Sequence, residues 1–242
     1  MFFETYFFII TVSAFLFATM GTGFIAFVLR QTDVMDEPNE RSNHDIPTPR
    51  GGGIAVLSSI IAFLIVSGVS SPIIYALLAL GIISFLDDIR GVSILWRFAI
   101  QIATVAWLIH DSNLLVFQGL LPQELDNIAT GIIWLWFINA YNFMDGIDGI
   151  TGSQTVGICL GLAVCSQLIT DFPNGLLFDL GIVGAAVFGF LLWNWHPAKI
   201  FIGDVGSITL GFIVGLMLLK LAILAIGQQH FSFPLIMSLT RV

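Results

Sequence analysis

LFDLGIVGAAVFGFLLWNWHPAKIFIGDVGSITLGFIVGLMLLKLAILAI, residues 177–226, consists of two apolar runs, 177–195 and 207–226, around a short insert that carries His196, Lys199 and Asp204. About 20 predominantly apolar residues cross the hydrocarbon core of a bilayer as a helix, with every backbone polar group satisfied internally. The stretch therefore reads as two membrane helices joined by a charged connector. Lys220 is the basic residue inside the second run, where its aliphatic stem can carry the ammonium outward.

The same alternation extends to both ends of the chain. Further apolar runs occupy 3–29, 52–69, 72–86, 94–109, 128–142 and 150–169, and a ninth begins near Phe231 and reaches Val242. The composition agrees: 57% hydrophobic and 10% charged residues, where a soluble domain carries about 25% charged. The expectation is an all-α, polytopic transmembrane bundle of about nine spans, forming a single domain over residues 1–242. The first run has Glu4 and no basic residue before it, and it is too long for the apolar core of a secretory signal, so it is expected to stay as a helix with its N-terminus outside.

Counting spans from that start puts segments 30–51, 87–93, 143–149 and 196–206 on one side, along with Arg241. These gaps collect Arg30, Arg41, Arg50, Arg90 and Lys199, with Arg97 just inside the run that follows 87–93, and basic residues in short loops mark the cytoplasm. The opposite gaps hold Asp111, Glu124, Asp126 and Asp171 with His110 and His230, and read as solvated connectors. A net charge of −8 argues against nucleic acid as a partner. Cys159 and Cys165 share one apolar run and read as packing residues. The spacings Gly157 to Gly161 and Gly211 to Gly215 allow close helix approach, within the bundle or between two copies of the chain.

The cytoplasmic gaps carry the chemistry. Segment 30–53 ends in PTPRGGG, which sets Arg50 and three glycines, Gly52 among them, before a helix start. Backbone amides and a guanidinium fork in that position suit a phosphate, although Pro and Gly also set an ordinary turn there. Asp87 and Asp88 lie at the C-terminal end of the third run, facing the negative pole of a helix. They need a positive partner, and close pairing can leave one of them as a general base. In NFMDGIDG, Asp145 and Asp148 share a face if the segment is helical, with a glycine after each. In NWHPAKIFIGDVGS, Asp204 reads either as a helix N-cap or as a hard oxygen ligand for magnesium. Lys199 offers a point charge to phosphate, and Phe201 a flat face to a base.

Together, Asp87, Asp88, Asp145, Asp148 and Asp204 with Arg50, Lys199 and His44 suit a divalent ion and a diphosphate better than an ion path. Ion and proton pathways place carboxylates near mid-membrane. Five negative side chains beside a polyanionic substrate would repel it without a metal, so magnesium is the expected cofactor, with manganese as a substitute.

PTPRGGG, LDD, NFMDGIDG and PAKIFIGDVGS, in this order and separated by apolar runs, resemble the polyprenyl-phosphate N-acetylhexosamine-1-phosphate transferases of glycosyltransferase family 4. That family includes the phospho-N-acetylmuramoyl-pentapeptide transferases, and NFMDGIDG followed by NWHPAKIFIGDVGS looks most like its O-antigen initiating branch. The resemblance implies a bacterial inner-membrane enzyme with a cytoplasmic active site. It would transfer a sugar 1-phosphate from a UDP-N-acetylhexosamine to undecaprenyl phosphate and release UMP.

By the same resemblance, Asp204 and Asp87 would hold the metal, with Asp87 and Asp88 as the catalytic pair. Asn142, Asp145, Asp148 and Phe201 would form the nucleotide pocket, and Arg50, Gly52, Lys199 and His44 would bind phosphate or sugar phosphate. The expected partners are the UDP-sugar, the polyprenyl phosphate and membrane lipid, with a homodimer allowed.

Two departures stand beside the resemblance. Members usually run longer and carry a later loop rich in histidine and arginine, whereas this chain ends at Thr240-Arg241-Val242, so it is expected to lack a C-terminal part. Members also often follow the aspartate pair with a third acid, where this chain has Gly91. The rival readings are a truncated, inactive homologue and a cation-coupled secondary transporter.

Overall fold

The computed structural model describes residues 2–31, 35–36, 47–118, 120–166, 169 and 172–227. The ninth apolar run, Arg41, His44, Asp171, His230 and Arg241 lie outside these residues. The chain order is α1 (Phe2–Gln31), β1 (Met35–Asp36), β2 (Thr48–Pro49), α2 (Gly53–Ser67), α3 (Ser71–Arg90), α4 (Ile94–Ser112), α5 (Gln123–Phe143), α6 (Ile150–Cys165), α7 (Asn174–Asn194) and α8 (Gly203–Gly227). The helical expectation holds, with one addition: β1 and β2 form a short antiparallel pair ahead of α2.

Local chemistry sets the ends of these helices. Gly68 takes a left-handed conformation that closes α2, and Pro72 then sits in the first turn of α3, where a missing N–H is harmless. Gly91 closes α3 in the same way, at φ +66°, a backbone that a side-chain-bearing acid would adopt only under strain. That conformation is a physical reason for glycine here instead of a third acid.

α8 is the axis of the bundle. Apolar nearly all round, it is buried along most of its length by α2, α3, α5 and α6. α7 packs against α1 and α6 beside it, and α1 turns Phe8, Met20, Phe24 and Phe27 outward, each more than half exposed. An outer surface this apolar belongs in lipid. With little hydrophobic drive between helices there, association rests on close packing and on satisfied polar groups. At the α2/α8 crossing, a Cβ on Gly53 would lie 2.3 Å from the Gly206 nitrogen. Trp134 Nε1 donates to the Phe212 carbonyl at 3.0 Å, Trp193 Nε1 to Thr19 at 3.0 Å and Ser59 Oγ to Ala14 at 2.9 Å, tying neighbouring helices together.

α1, α3, α7 and α8 are long and apolar enough to cross a membrane. α2 and α6 are apolar but have only 15 and 16 residues. α4 carries Arg97, Gln101, His110 and Asp111, and α5 opens on Gln123, Glu124 and Asp126, so their polarity keeps them apart from the long apolar spans. The described helices thus define a helical membrane protein without reaching a count of nine spans by length and composition.

Two sequence expectations change. Asp126 is not a solvated connector: α5 begins earlier than the apolar run, and Asp126 is 1% exposed. It accepts bonds from the Val116 and Phe117 amides at 3.0 and 2.9 Å and from Thr130 Oγ1 at 3.1 Å, anchoring the α4–α5 connection. The glycine spacings also divide. Gly211 and Gly215 face Ile138, Tyr141 and Trp134 at the α5/α8 seam, whereas a Cβ at Gly157 or Gly161 would meet nothing within 4 Å.

Candidate active site

Helices that run alternately up and down bring one end of each neighbour together. The C-terminal ends of α1, α3, α5 and α7 meet the N-terminal ends of α2, α4, α6 and α8, as their contacts show. Arg30 Nη2 donates to the Lys199 carbonyl at 3.1 Å, Ser207 Oγ to Asn142 Oδ1 at 2.7 Å, and Phe201 N to the Pro49 carbonyl at 2.8 Å. The acid-bearing segments therefore converge at one end of the bundle.

At the centre, Asp87, Asp88 and Asp204 share two guanidinium groups. Arg50 Nη2 lies 2.5 Å from Asp204 Oδ1 and 3.4 Å from Asp88 Oδ1. Arg97 Nη1 pairs with Asp87 Oδ2 and lies 3.2 Å from Asp204 Oδ2. Asp87 also accepts the Val92 amide at 2.7 Å, which fixes the carboxylate as the chain leaves α3. The amides of Asp204 and Val205 point at Asp88 from 3.5 and 3.4 Å. The positive end of α8 thus faces acids at the negative end of α3, so the placement that is costly for α3 is offset across the contact. Asp204 sits inside the first turn of α8 and not at an N-cap position before it.

Asp145 completes the cluster. Its Oδ1 accepts from Thr151 Oγ1 at 2.7 Å, and it lies within electrostatic reach of Arg50 and Asp204. Burial pushes its carboxyl up to about 6, and the Asp204 charge adds to the rise, while the Thr151 bond and Arg50 pull it back. Four carboxylates, Asp87, Asp88, Asp145 and Asp204, face two guanidiniums, Arg50 and Arg97, which leaves two negative charges uncompensated when all are ionised. Hard oxygens with a surplus of two charges match a divalent cation held by one or two carboxylates together with substrate phosphates. Among the described residues no three acidic, histidine or cysteine side chains form a ready-made cage, and the arginines stand between the acids.

Asp145 and Asp148 do not share a helical face. The chain from Met144 to Gly149 leaves the helix, and Gly149 at φ +75° turns it into α6. Asp148 instead accepts the Ala198 amide at 2.9 Å and meets His196 Nδ1 at 2.9 Å. The glycines of PTPRGGG also act differently from the expectation. The Gly51 and Gly52 amides donate to the Phe201 carbonyl at 3.0 and 2.9 Å, and Gly53 to Ile202 at 2.8 Å. A Cβ on Gly52 would lie 2.5 Å from the Phe190 ring. These amides join α2 to the strand-like segment before α8, so Gly52 is a packing and pairing residue whose N–H is not free for phosphate.

Lys199 Nζ lies 5.6 Å from the Trp193 ring centroid, and its ammonium makes no ion pair with the cluster acids among the described residues. Phe201 is partly exposed, and its backbone forms an isolated parallel bridge with Arg50. His44 lies outside the described residues.

Sequence reasoning missed three contributors. Arg97, ten residues after Asp87, is the partner of two site acids, and its place on the charged side of the membrane was the available signal. Thr151 and Asn194 gave no signal of their own. Asn194, buried at 5% exposure, accepts the Gly149 amide at 2.9 Å and donates to the Ile200 carbonyl at 3.0 Å, clamping the start of α6 to the α7–α8 connection.

The fold and cluster define a helical membrane protein with an acidic, arginine-bridged centre at one helix end. A family model described as Glycosyl transferase family 4 matches residues 70–222, and the chain belongs to that family. It is 30% identical to a probable undecaprenyl-phosphate N-acetylglucosaminyl 1-phosphate transferase of Bacillus subtilis, over 76% of this chain and 54% of the relative. It is 30% identical to a decaprenyl-phosphate N-acetylglucosaminephosphotransferase of Mycobacterium leprae, over 86% of this chain and 58% of the relative. A phospho-N-acetylmuramoyl-pentapeptide-transferase of Carboxydothermus hydrogenoformans is 31% identical over 69% of this chain and 60% of the relative. The chain thus spans somewhat more than half the length of these curated relatives.

Proposed function

We propose that this protein transfers a sugar 1-phosphate from a UDP-N-acetylhexosamine to a polyprenyl phosphate, undecaprenyl phosphate in the simplest case, and releases UMP. The observation that carries the reading is the convergence of Asp87, Asp88, Asp145 and Asp204 on Arg50 and Arg97 at one end of the bundle. The names of the relatives support the substrate class. The site end would face the cytoplasm of a bacterial inner membrane, with α1 entering from outside and the shorter and more polar helices crossing beside the long apolar ones. The order of the NFMDGIDG and NWHPAKIFIGDVGS segments favours initiation of O-antigen or another envelope polysaccharide.

In this mechanism an oxygen of the acceptor phosphate forms a bond to the sugar-bearing phosphorus, and the bond from that phosphorus to the UMP oxygen breaks. Asp204 and Asp87 would hold magnesium, which neutralises charge on the diphosphate when bound. Arg50 and Arg97 orient the phosphoryl oxygens and keep the carboxylates in place. Asp87 takes the remaining proton of the acceptor phosphate, and Asp88 holds the start of α8 in register. Asn142, Asp145 and Phe201 line the nucleotide side, with Asp148 and His196 bracing that wall. Lys199, on the same α7–α8 connection as the site, would supply long-range attraction.

UMP release in detergent, with polyprenyl phosphate, magnesium and a panel of UDP-sugars, tests the reading. UMP should appear only when both substrates and the divalent ion are present, and Asp204→Asn should abolish it while the circular dichroism stays helical. Turnover that survives Asp204→Asn removes the metal assignment. Absence of UMP with every sugar, from a folded protein, favours an inactive homologue.

A further inference from the structure

At the end of the bundle away from the carboxylate cluster lies a cavity of about 470 Å³, a size suited to a small ligand or headgroup. Its wall includes Ser70 between α2 and α3, Asn113 at the end of α4, Leu176 and Asp179 of α7, and Lys220 and Leu224 of α8. Lys220 is sixteen residues beyond Asp204 on the same helix, about 24 Å away along its axis, so this cavity is separate from the transfer site.

Asp179 is 6% exposed, lines the cavity, and its Oδ1 has no hydrogen-bond donor among the described residues. Leaving a buried carboxylate oxygen unpaired is costly, and more so inside a membrane helix. Lys220 is close enough to act on Asp179 electrostatically, yet among the described residues the two do not close into an ion pair. Among the described residues Asp179 Oδ1 thus has no donor and Lys220 closes no ion pair, and both residues line one cavity. A bridging ligand must present an N–H cation to the first and an anionic oxygen to the second. The rest of the wall is largely apolar, with Ile73, Leu176 and Leu224, which accommodates hydrocarbon beside that polar pair.

We infer that this cavity holds the headgroup of an aminophospholipid, with its ammonium on Asp179, its phosphate on Lys220 and the start of its acyl chains along the apolar wall. A phospholipid with a primary amine carries both charges on neighbouring groups and is already dissolved in the surrounding bilayer. A purely anionic lipid would satisfy Lys220 and leave Asp179 unpaired. A choline headgroup has the charge but no N–H to give.

The test is lipid binding to the full chain in detergent, followed by native mass spectrometry and thermal unfolding. The added lipids are phosphatidylethanolamine, phosphatidylglycerol and phosphatidylcholine, with soluble glycerophosphoethanolamine as a competitor. Phosphatidylethanolamine should bind at least ten-fold more tightly than the other two lipids and raise the unfolding temperature, and the soluble headgroup should compete with it. Asp179→Asn and Lys220→Gln should each remove that preference. Lys220→Gln and the three-lipid comparison on the wild type decide the matter even if Asp179→Asn does not fold. Equal binding of the three lipids, or an undiminished preference in a folded variant, overturns the assignment. A variant that changes stability without changing lipid selectivity overturns it as well, because Asp179 would then be only an internal structural group.

Discussion

Arg50, just ahead of α2, and Asp204, in the first turn of α8, meet through Nη2 and Oδ1 at 2.5 Å, and the other oxygen of Asp204 faces Arg97 at 3.2 Å. One aspartate thus joins a loop from the first third of the chain to the start of α4 and the central helix. Removing either guanidinium leaves a partly buried acid short of its counter-charge, so effects should reach beyond the single pair.

Arg97 gives the sharpest case, because it serves both Asp87 and Asp204. Arg97→Gln should lower UMP release by at least about 100-fold, and Arg97→Lys should recover part of it, since lysine keeps the charge but loses the fork. Steady-state rates of both variants, alongside their unfolding temperatures, provide the check. Wild-type rates in Arg97→Gln would show that the contact is structural decoration.

Asp145 sets a pH dependence. Its folded carboxyl is raised from 3.8 to about 6, chiefly by burial. The stability gained from its neutral form is therefore fully present below about 4 and is lost as pH rises through about 6. Cation binding has the opposite sign, because the ionised Asp145 adds negative charge beside Asp204: affinity for a divalent ion should fall as pH drops through about 6. Manganese titrations at several pH values should show that slope in the wild type and a flatter one in Asp145→Asn. The same slope in both would assign the dependence to another group.

Packing at the α2/α8 crossing is read from stability. Gly53→Ala places a Cβ 2.3 Å from the Gly206 nitrogen, and backbone cannot move aside cheaply, so a loss of about 1–3 kcal/mol or more is expected. Gly157→Ala, with nothing within 4 Å, should be tolerated. Unfolding temperatures of the two variants should separate clearly, and equal values would contradict the close crossing.

Asp126 offers a control at the far end of the bundle. Asp126→Ala removes the acceptor for the Val116 and Phe117 amides and should destabilise by about 1–3 kcal/mol. UMP release per folded molecule should be unchanged. A selective loss of turnover would tie that connection to the reaction.

The helices were legible because apolar length and Gly or Pro punctuation are local signals. The run at 52–69 became Gly53–Ser67, and the run at 94–109 became Ile94–Ser112. The convergence of Asp87, Asp145 and Asp204 was also legible, since alternate connectors of an up-and-down bundle share one end. Pairing across elements was not. No spacing rule assigns the Gly52 amide to Phe201, Arg97 to Asp204, or Asn194 to the start of α6, because these bonds depend on how the helices pack. Asp126 was hidden for a related reason: a carboxylate near a helix end looks solvated until the neighbouring chain is seen to cover it.

The most direct measurement of the central claim is manganese binding, followed by electron paramagnetic resonance with and without UDP-N-acetylglucosamine, in the wild type and in Asp204→Asn. The wild type should bind one ion at the acidic cluster and hold it more tightly when the nucleotide sugar is present, and the helical Asp204→Asn protein should bind it at least ten-fold more weakly with no tightening. Equal affinity in the two proteins, or no effect of the nucleotide sugar on the wild type, would contradict the account.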